Sequence, residues 1–242
     1  MKTALVTGAS KGMGLEWCRQ LGQNRYRVFL SARSQDQAET VAARLPQEGI
    51  DCIGIVLDSG NEESIILATE HIQEHCMALD LIVNNAGINP KDYPDKEKMA
   101  SCFKLEALNA DAVLEVMKVN SLGPLLVVKH MLPLLKNSPE PKVLQISSWL
   151  GSVSQVQFGG HYGYAGSKNL LNMLNKLMAN ELKQDGIISV CVNPGWVQTD
   201  MGGSKANFTI QEAVSNMLSL VSILKPEDSG KFLNYDGEIH PW

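Results

Sequence analysis

Thr3-Ala4-Leu5-Val6-Thr7-Gly8-Ala9-Ser10-Lys11-Gly12-Met13-Gly14 opens the chain and decides how the rest is read. An apolar run of strand length ends at Thr7, three glycines follow in a G-x-x-x-G-x-G spacing, and helical periodicity begins at Gly14. Glycine permits the tight turn and lets backbone N–H groups approach a pyrophosphate at a helix N-terminus, where the dipole favours negative charge. The spacing is not the G-x-G-x-x-G of the commonest dinucleotide fingerprint, and a glycine triplet alone also reads as a plain sharp turn. Its place between the first strand and the first helix favours a nucleotide site contacted by Gly8, Ser10, Lys11, Gly12, Met13 and Gly14.

Outward from this turn, short apolar runs alternate with longer amphipathic stretches. Strands are expected at Thr3–Thr7, Val28–Ser31, Asp51–Leu57, Asp80–Asn84, Lys142–Ser147, Ile187–Val192 and Phe232–Tyr235. They are rich in Val, Ile and Leu without polar alternation, as strands covered on both faces are. Periodicity near 3.6 predicts helices over about 14–23, 36–45, 61–76, 111–136, 161–184 and 210–221. Strand–helix–strand repetition implies parallel pairing through right-handed crossovers. The expected fold is therefore α/β, a single-domain Rossmann-type doubly wound parallel sheet of about seven strands, spanning residues 1–242. Two irregular stretches, Ile88–Ser101 and Pro194–Asn207, follow strands at the end where open α/β sheets bind ligands.

Composition narrows the function. A net charge of -5 gives no reason to expect nucleic acid or an anionic membrane as partner. No apolar stretch is long enough for a membrane span, and the N-terminus lacks the pattern of a signal peptide. The 5 cysteines are scattered without a C-x-x-C pair, which suits reduced, mostly buried thiols in a cytoplasmic protein and gives a metal site no support.

The end of the second strand bears on the coenzyme. An acid there would bond the ribose 2′-hydroxyl of NAD. In Arg27-Val28-Phe29-Leu30-Ser31-Ala32-Arg33-Ser34-Gln35 none appears, and Arg33 offers a planar fork of donors suited to a 2′-phosphate. With Lys11 as a second cation close by, the reading is NADP(H). The alternative is that both are solvated surface charges.

His161-Tyr162-Gly163-Tyr164-Ala165-Gly166-Ser167-Lys168 opens a long predicted helix and puts Tyr164 and Lys168 on one face, one turn apart. A nearby ammonium and a positive nicotinamide both stabilise a phenolate and bring its pKa toward the working range. Tyr162 has only Gly166 at i+4, so Tyr164 is the tyrosine of choice.

Six elements occur in order: Thr7–Gly14, Asn84-Asn85-Ala86-Gly87, Asn120, Ser147-Ser148, Tyr164 with Lys168, and Pro194-Gly195. Together they resemble the short-chain dehydrogenase/reductase family along essentially the whole chain. The segments Ser147–Ser152, Gly159–Tyr162, Pro194–Gly203 and Pro241-Trp242 are most similar to its C-factor/Sniffer-like carbonyl reductase branch. The resemblance implies catalytic roles for Asn120, Ser148, Tyr164 and Lys168. Tyr164 would be the general acid, Ser148 would orient the substrate carbonyl, and Lys168 would bind the nicotinamide ribose and lower the phenol pKa. Asn120 would anchor a water that links Lys168 to solvent. Asp58 would accept from the adenine amino group, although Asp58-Ser59-Gly60-Asn61 also reads as a turn and helix cap. Asn85, Ala86 and Gly87 would line the adenine ribose, and Pro194, Gly195, Val197 and Thr199 would contact the nicotinamide carboxamide.

Two departures from the family concern the pocket. Ser148 and Tyr164 stand wider apart than the family usually spaces them, so an extra loop at Val153–Gly160 is expected beside the pocket, and Ser147 stays open as the alternative serine. Asn85 and Asn120 are also widely spaced, which the Pro90–Ala100 segment would explain. The pocket is expected to be partly apolar, bounded by Trp149, Gln155, Phe158, His161, Trp196 and the Met201–Phe208 loop. The glycine-rich 194–208 loop reads as a lid that orders over bound substrate or, alternatively, as a flexible surface loop. The leading reading is an NADPH-dependent reductase of a ketone, aldehyde or quinone. The alternatives are an NAD-dependent alcohol dehydrogenase and a coenzyme-sensing signalling protein of the same fold. Apolar surface on the 111–136 and 161–184 helices points to a homodimer or homotetramer.

Overall fold

A computed structural model describes residues 1–242. Seven strands, β1 (Lys2–Val6), β2 (Tyr26–Ala32), β3 (Cys52–Val56), β4 (Leu81–Asn84), β5 (Lys142–Ile146), β6 (Ile188–Asn193) and β7 (Phe232–Asn234), form one sheet. Their order is β3-β2-β1-β4-β5-β6-β7. Every neighbouring pair is parallel, so the doubly wound Rossmann fold expected from the sequence is the one observed.

The strands lack polar alternation because both faces are covered. Ala4, Val6, Val28, Leu30 and Val83 point into one core with Trp17, Cys18 and Leu21 of α1 (Gly12–Gln23). The same core takes Val214 and Met217 of α8 (Ile210–Ile223). Leu5, Phe29, Ile82 and Val143 point the other way, onto Ile65 and Ile72 of α3 (Glu62–Gln73) and Val127, Val128 and Met131 of α6 (Gly123–Lys136). Fully burying each such side chain contributes roughly 1.5–3 kcal/mol, so these two layers carry the fold. The remaining helices are α2 (Gln35–Ala42), α4 (Lys96–Phe103), α5 (Ala110–Met117) and α7 (Tyr162–Glu181). No helix is long and apolar enough to cross a membrane.

After β3 the chain crosses to the far side of β1 to lay down β4, and this reversal opens a crevice at the carboxyl ends of β1 and β4. Thr7 prolongs the pairing there, its N–H donating to Val83 O at 3.0 Å.

Two sequence expectations need correction. The helix over 111–136 is two helices, α5 and α6, joined by a π-helical turn at Lys118–Leu122. Gly123 N donates to Lys118 O across this widened turn, and Pro124, which has no N–H, follows it and offers Asn120 O no α-helical donor. The Ile88–Ser101 stretch is not wholly irregular. It holds a 3-10 turn at Pro90–Asp92 and the start of α4, whose N-cap Asp95 accepts from Glu97 N and Lys98 N.

Candidate active site

The glycine turn is built around close backbone approach. Gly8 sits at φ +63°, and a Cβ placed on Gly14 would lie 2.4 Å from Gly8 O and 2.7 Å from Asn85 Nδ2. Asn85 Nδ2 donates to Thr7 O and Gly8 O at 3.1 Å each, while Thr7 Oγ1 accepts from Asn85 N and Ala86 N at 3.0 Å. The Asn85-Ala86-Gly87 segment is thus pinned to the turn across the crevice. Lys11 occupies the N-cap of α1 without a side-chain cap bond, so no side chain covers the leading N–H groups of that helix. Its Nζ, expected to be free for phosphate, pairs with Asp200 Oδ2 at 2.5 Å, both side chains being well exposed. Ser10 and Met13 line the same turn half-buried.

Arg33 is exposed at the carboxyl end of β2, and no acid of the chain pairs with it. Asp58, half-buried beyond β3, already has a structural duty: its Oδ1 accepts from Gly60 N at 2.8 Å, which is the turn bond read as the alternative to adenine binding.

Tyr164 and Lys168 lie one turn apart on α7, with Lys168 Nζ 5.7 Å from the Tyr164 ring centroid. The ammonium is buried and donates to Ile146 O, at the end of β5, at 2.7 Å. Burial lowers Lys168 to about 8. The Tyr164 phenol, expected to be brought down toward the working range by Lys168, is instead pushed up by burial to about 12, and the group pulling it the other way is the neighbouring Ser148 hydroxyl. Tyr164 keeps part of its surface open, so a reactant has access to it. Ser148 is nearly buried, and its Oγ accepts from Leu150 N at 3.2 Å, capping a short turn while standing beside the phenol. Ser147 drops out as the alternative serine, because its hydroxyl donates to Asn172 Oδ1 at 2.7 Å inside the core.

Asn120 is fully buried in the π-helical turn. Its Nδ2 donates to Ser167 Oγ at 3.0 Å, and Ser167 Oγ donates to Tyr164 O at 2.7 Å. A Cβ on Gly87 would stand 3.3 Å from Asn120 Oδ1 and 3.7 Å from Lys168 Nζ. Gly87, Asn120 and Lys168, far apart in sequence, therefore meet at one spot under Tyr164. Ser167 was not singled out by the sequence reading. Its position one residue before Lys168, with a hydroxyl able to fold back on the preceding turn, is a signal only in retrospect.

The segment after β6 folds back on itself. Val197 bridges Phe208, Gln198 N donates to Phe208 O at 2.8 Å, and Phe208 N donates to Trp196 O at 3.1 Å. Gly195, at φ +78°, packs so closely that a Cβ would lie 3.0 Å from the Phe208 ring. Pro194 is buried, and Thr199 Oγ1 accepts from Gly202 N at 3.0 Å. Lys91 Nζ reaches Met201 O, tying this loop to the segment after β4. On the opposite wall the Val153–Gly160 loop brings Phe158 against Trp149 and His161, with ring centroids 5.9 and 5.6 Å apart. His161 packs in turn on Phe103 at 4.4 Å. Phe103 belongs to α4, and sequence reasoning missed it along with that helix.

A glycine turn at the sheet's switch point, with a buried lysine beneath a partly open tyrosine, defines a dinucleotide-dependent oxidoreductase of the doubly wound α/β class. The chain belongs to the short chain dehydrogenase family, whose profile matches residues 2–209. It is 36% identical over 171 residues to C-signal of Myxococcus xanthus, an overlap of 68% of this chain and 93% of that protein. NADPH-bound carbonyl reductase from chicken fatty liver superimposes with a TM-score of 0.88 at 29% identity, covering 100% of this chain and 99% of its own. Carbonyl reductase Sniffer of D. melanogaster gives 0.88 at 28% identity, with 100% of both chains covered.

Proposed function

We propose that this chain is an NADPH-dependent reductase of small carbonyl compounds (ketones, aldehydes or quinones) with Tyr164 as general acid. The convergence of Ser148, Tyr164, Lys168 and Asn120 on one partly open point carries the reading. The likeness to an NADPH-bound carbonyl reductase and to Sniffer supports it.

The residues present fit the coenzyme. Gly14 and Gly87 leave cradles that a Cβ would fill, and Arg33 stands uncommitted where a 2′-phosphate would lie. Gly8, Ser10, Lys11, Gly12, Met13 and Gly14 would hold the pyrophosphate, Asp58 the adenine, and Asn85 to Gly87 the ribose. Pro194, Gly195, Val197 and Thr199 would hold the carboxamide end. NADPH, when bound, supplies the hydride for the carbonyl carbon. As charge grows on the carbonyl oxygen, Ser148 donates a hydrogen bond to it and Tyr164 delivers its phenolic proton. A phenol held up to about 12 keeps that proton at neutral pH until the oxygen demands it. Lys168 stabilises the phenolate left behind, and the carbonyl of Asn120, which has no α-helical donor at Pro124, would seat a water for reprotonation.

The test is oxidation of NADPH and of NADH with a carbonyl panel, comparing wild type with Tyr164→Phe. NADPH-preferring turnover that falls by about 10²–10⁴-fold in the variant is the expected result. Tight NADPH binding without turnover would favour a sensing role, in keeping with the likeness to C-signal. NADH preference would point to the NAD-dependent dehydrogenase.

We further read the chain as one domain, and its unpaired cysteines suit a reducing compartment such as the cytoplasm. It would act as a homodimer or homotetramer, pairing through α7, where Met173 and Leu177 are each 57% exposed one turn apart. Sedimentation of wild type against Leu177→Glu tests the assembly; an unchanged mass rules this face out.

A further inference from the structure

A chain of polar side chains, buried at Asn193 and His240 and half-buried at Asn234, runs from β6 to the C-terminal segment and touches both walls of the site. Asn193, the last residue of β6, is almost wholly buried. Its Oδ1 accepts from Trp149 N at 3.2 Å and from Gly195 N at 3.3 Å. Its Nδ2 donates to Asn234 Oδ1 at 3.0 Å, and the same oxygen takes a bond from His240 Nδ1 at 2.7 Å.

Every orientation in this chain follows from its two ends. Main-chain N–H groups can only donate, so the Asn193 atom facing Trp149 and Gly195 must be oxygen. Its nitrogen then faces Asn234, which must answer with oxygen, and His240 must carry its proton on Nδ1. The ring that results is neutral, and burial favours that form. It packs on Phe232 with centroids 4.6 Å apart and the ring planes tilted by 58°, and its Nε2 is buried without a partner. A buried acceptor left unmatched is costly, which argues that the Nδ1 contact outweighs it.

The two main-chain groups that Asn193 receives belong to the two segments that must address one reactant. Trp149 N adjoins Ser148, which we place on the carbonyl oxygen; Gly195 N belongs to the turn that we place against the nicotinamide end. We infer that Asn193, braced from behind by Asn234 and His240, is a positioning residue that sets these two turns at a fixed separation. The inference rests on the reductase reading for the roles of Ser148 and Gly195. It extends that reading to a residue that touches neither reactant.

The contribution sits in geometry, so it appears in the hydride-transfer step rather than in coenzyme affinity. Asn193→Ala is expected to lower kcat about 100-fold, the scale of a misplacement near 1 Å, with NADPH Kd within about threefold and a larger isotope effect from deuterated NADPH. Asn193→Asp keeps the oxygen that receives both N–H groups and restores part of kcat. His240→Phe keeps the packing on Phe232 but removes the Nδ1 donor, and lowers kcat in the same direction by less. Unchanged kcat in Asn193→Ala overturns the inference. So does a proportional loss of kcat and NADPH binding with a lowered melting temperature in both Asn193→Ala and His240→Phe, which is a plain structural role.

A wild type without carbonyl turnover would sink the reductase reading but still leave a readout for this one. Energy transfer from tryptophan to bound NADPH, measured in a Trp17→Phe, Trp242→Phe background, reports the distance from Trp149 and Trp196 to the nicotinamide. Altered transfer at unchanged Kd in Asn193→Ala supports the positioning role, and identical transfer overturns it.

Discussion

The side-chain amide of Asn120 closes a two-bond ring on the backbone of Ile88: Oδ1 accepts from Ile88 N at 2.8 Å and Nδ2 donates to Ile88 O at 2.9 Å. One side chain thereby ties the helical layer to the segment leaving β4, directly beneath Lys168. Asn120→Ala would leave both main-chain groups of Ile88 without their partner, together with Ser167 Oγ. The expected loss is about 2–4 kcal/mol in urea unfolding, the scale of burying polar groups unmatched. Turnover should fall even where the variant is still folded, because the Ile88–Asn120 tie also holds the neighbourhood of Lys168 Nζ. A variant as stable and as active as wild type would refute the strut.

Lys168 predicts a pH dependence with a definite sign. Burial lowers its pKa from 10.5 to about 8. Between those values the unfolded chain binds the proton and the folded chain does not, so this residue makes stability rise with pH. Below the folded value both states are protonated and the burial penalty is present in full. The cysteines and Tyr164, raised by burial, act in the opposite sense at high pH. The difference between wild type and Lys168→Met isolates the lysine. Wild type should gain on the variant by about 3 kcal/mol at most from pH 8 to 10.5. A flat difference would mean that the amine is solvated.

Coenzyme choice is tested at β2. Arg33→Ala should weaken NADPH binding by about 10–100-fold, the worth of a charge-assisted bidentate contact, and leave NADH within about twofold. Lys11→Ala should do less, since Asp200 already engages that ammonium. Asp200→Asn, which frees Lys11, should tighten NADPH a few-fold in low salt and lose the effect at high salt. Equal responses of NADPH and NADH to Arg33→Ala would remove Arg33 from the phosphate site.

What the sequence disclosed was what local chemistry controls. Strands buried on both faces announce themselves as unbroken apolar runs, and Gly8 to Gly14 announce a turn because only glycine fits there. Tyr164 and Lys168 were legible because four residues make one helical turn. The break in the 111–136 helix lies at Lys118–Leu122, just ahead of Pro124, yet the periodicity ran straight through it. The short α4 was hidden by a polar surface with few apolar positions to count. Least legible were polar partners drawn from distant segments. Asn193 with Asn234, or Asn120 with Ser167, leaves no spacing to read, because the sheet order alone brings such pairs together.

The widened turn at Lys118–Leu122 has one further consequence, which concerns permanence. Beside it stands a covalent property of an imino acid, the missing N–H of Pro124, which no ligand, proton or neighbouring chain can undo. The missing donor at Pro124 is consequently constitutive, absent from the moment the helix folds and indifferent to coenzyme or pH. A substitution at Pro124 that supplied the missing donor would let the turn close to regular α-helix and would compete for the Asn120 carbonyl. The more regular secondary structure would be the poorer catalyst.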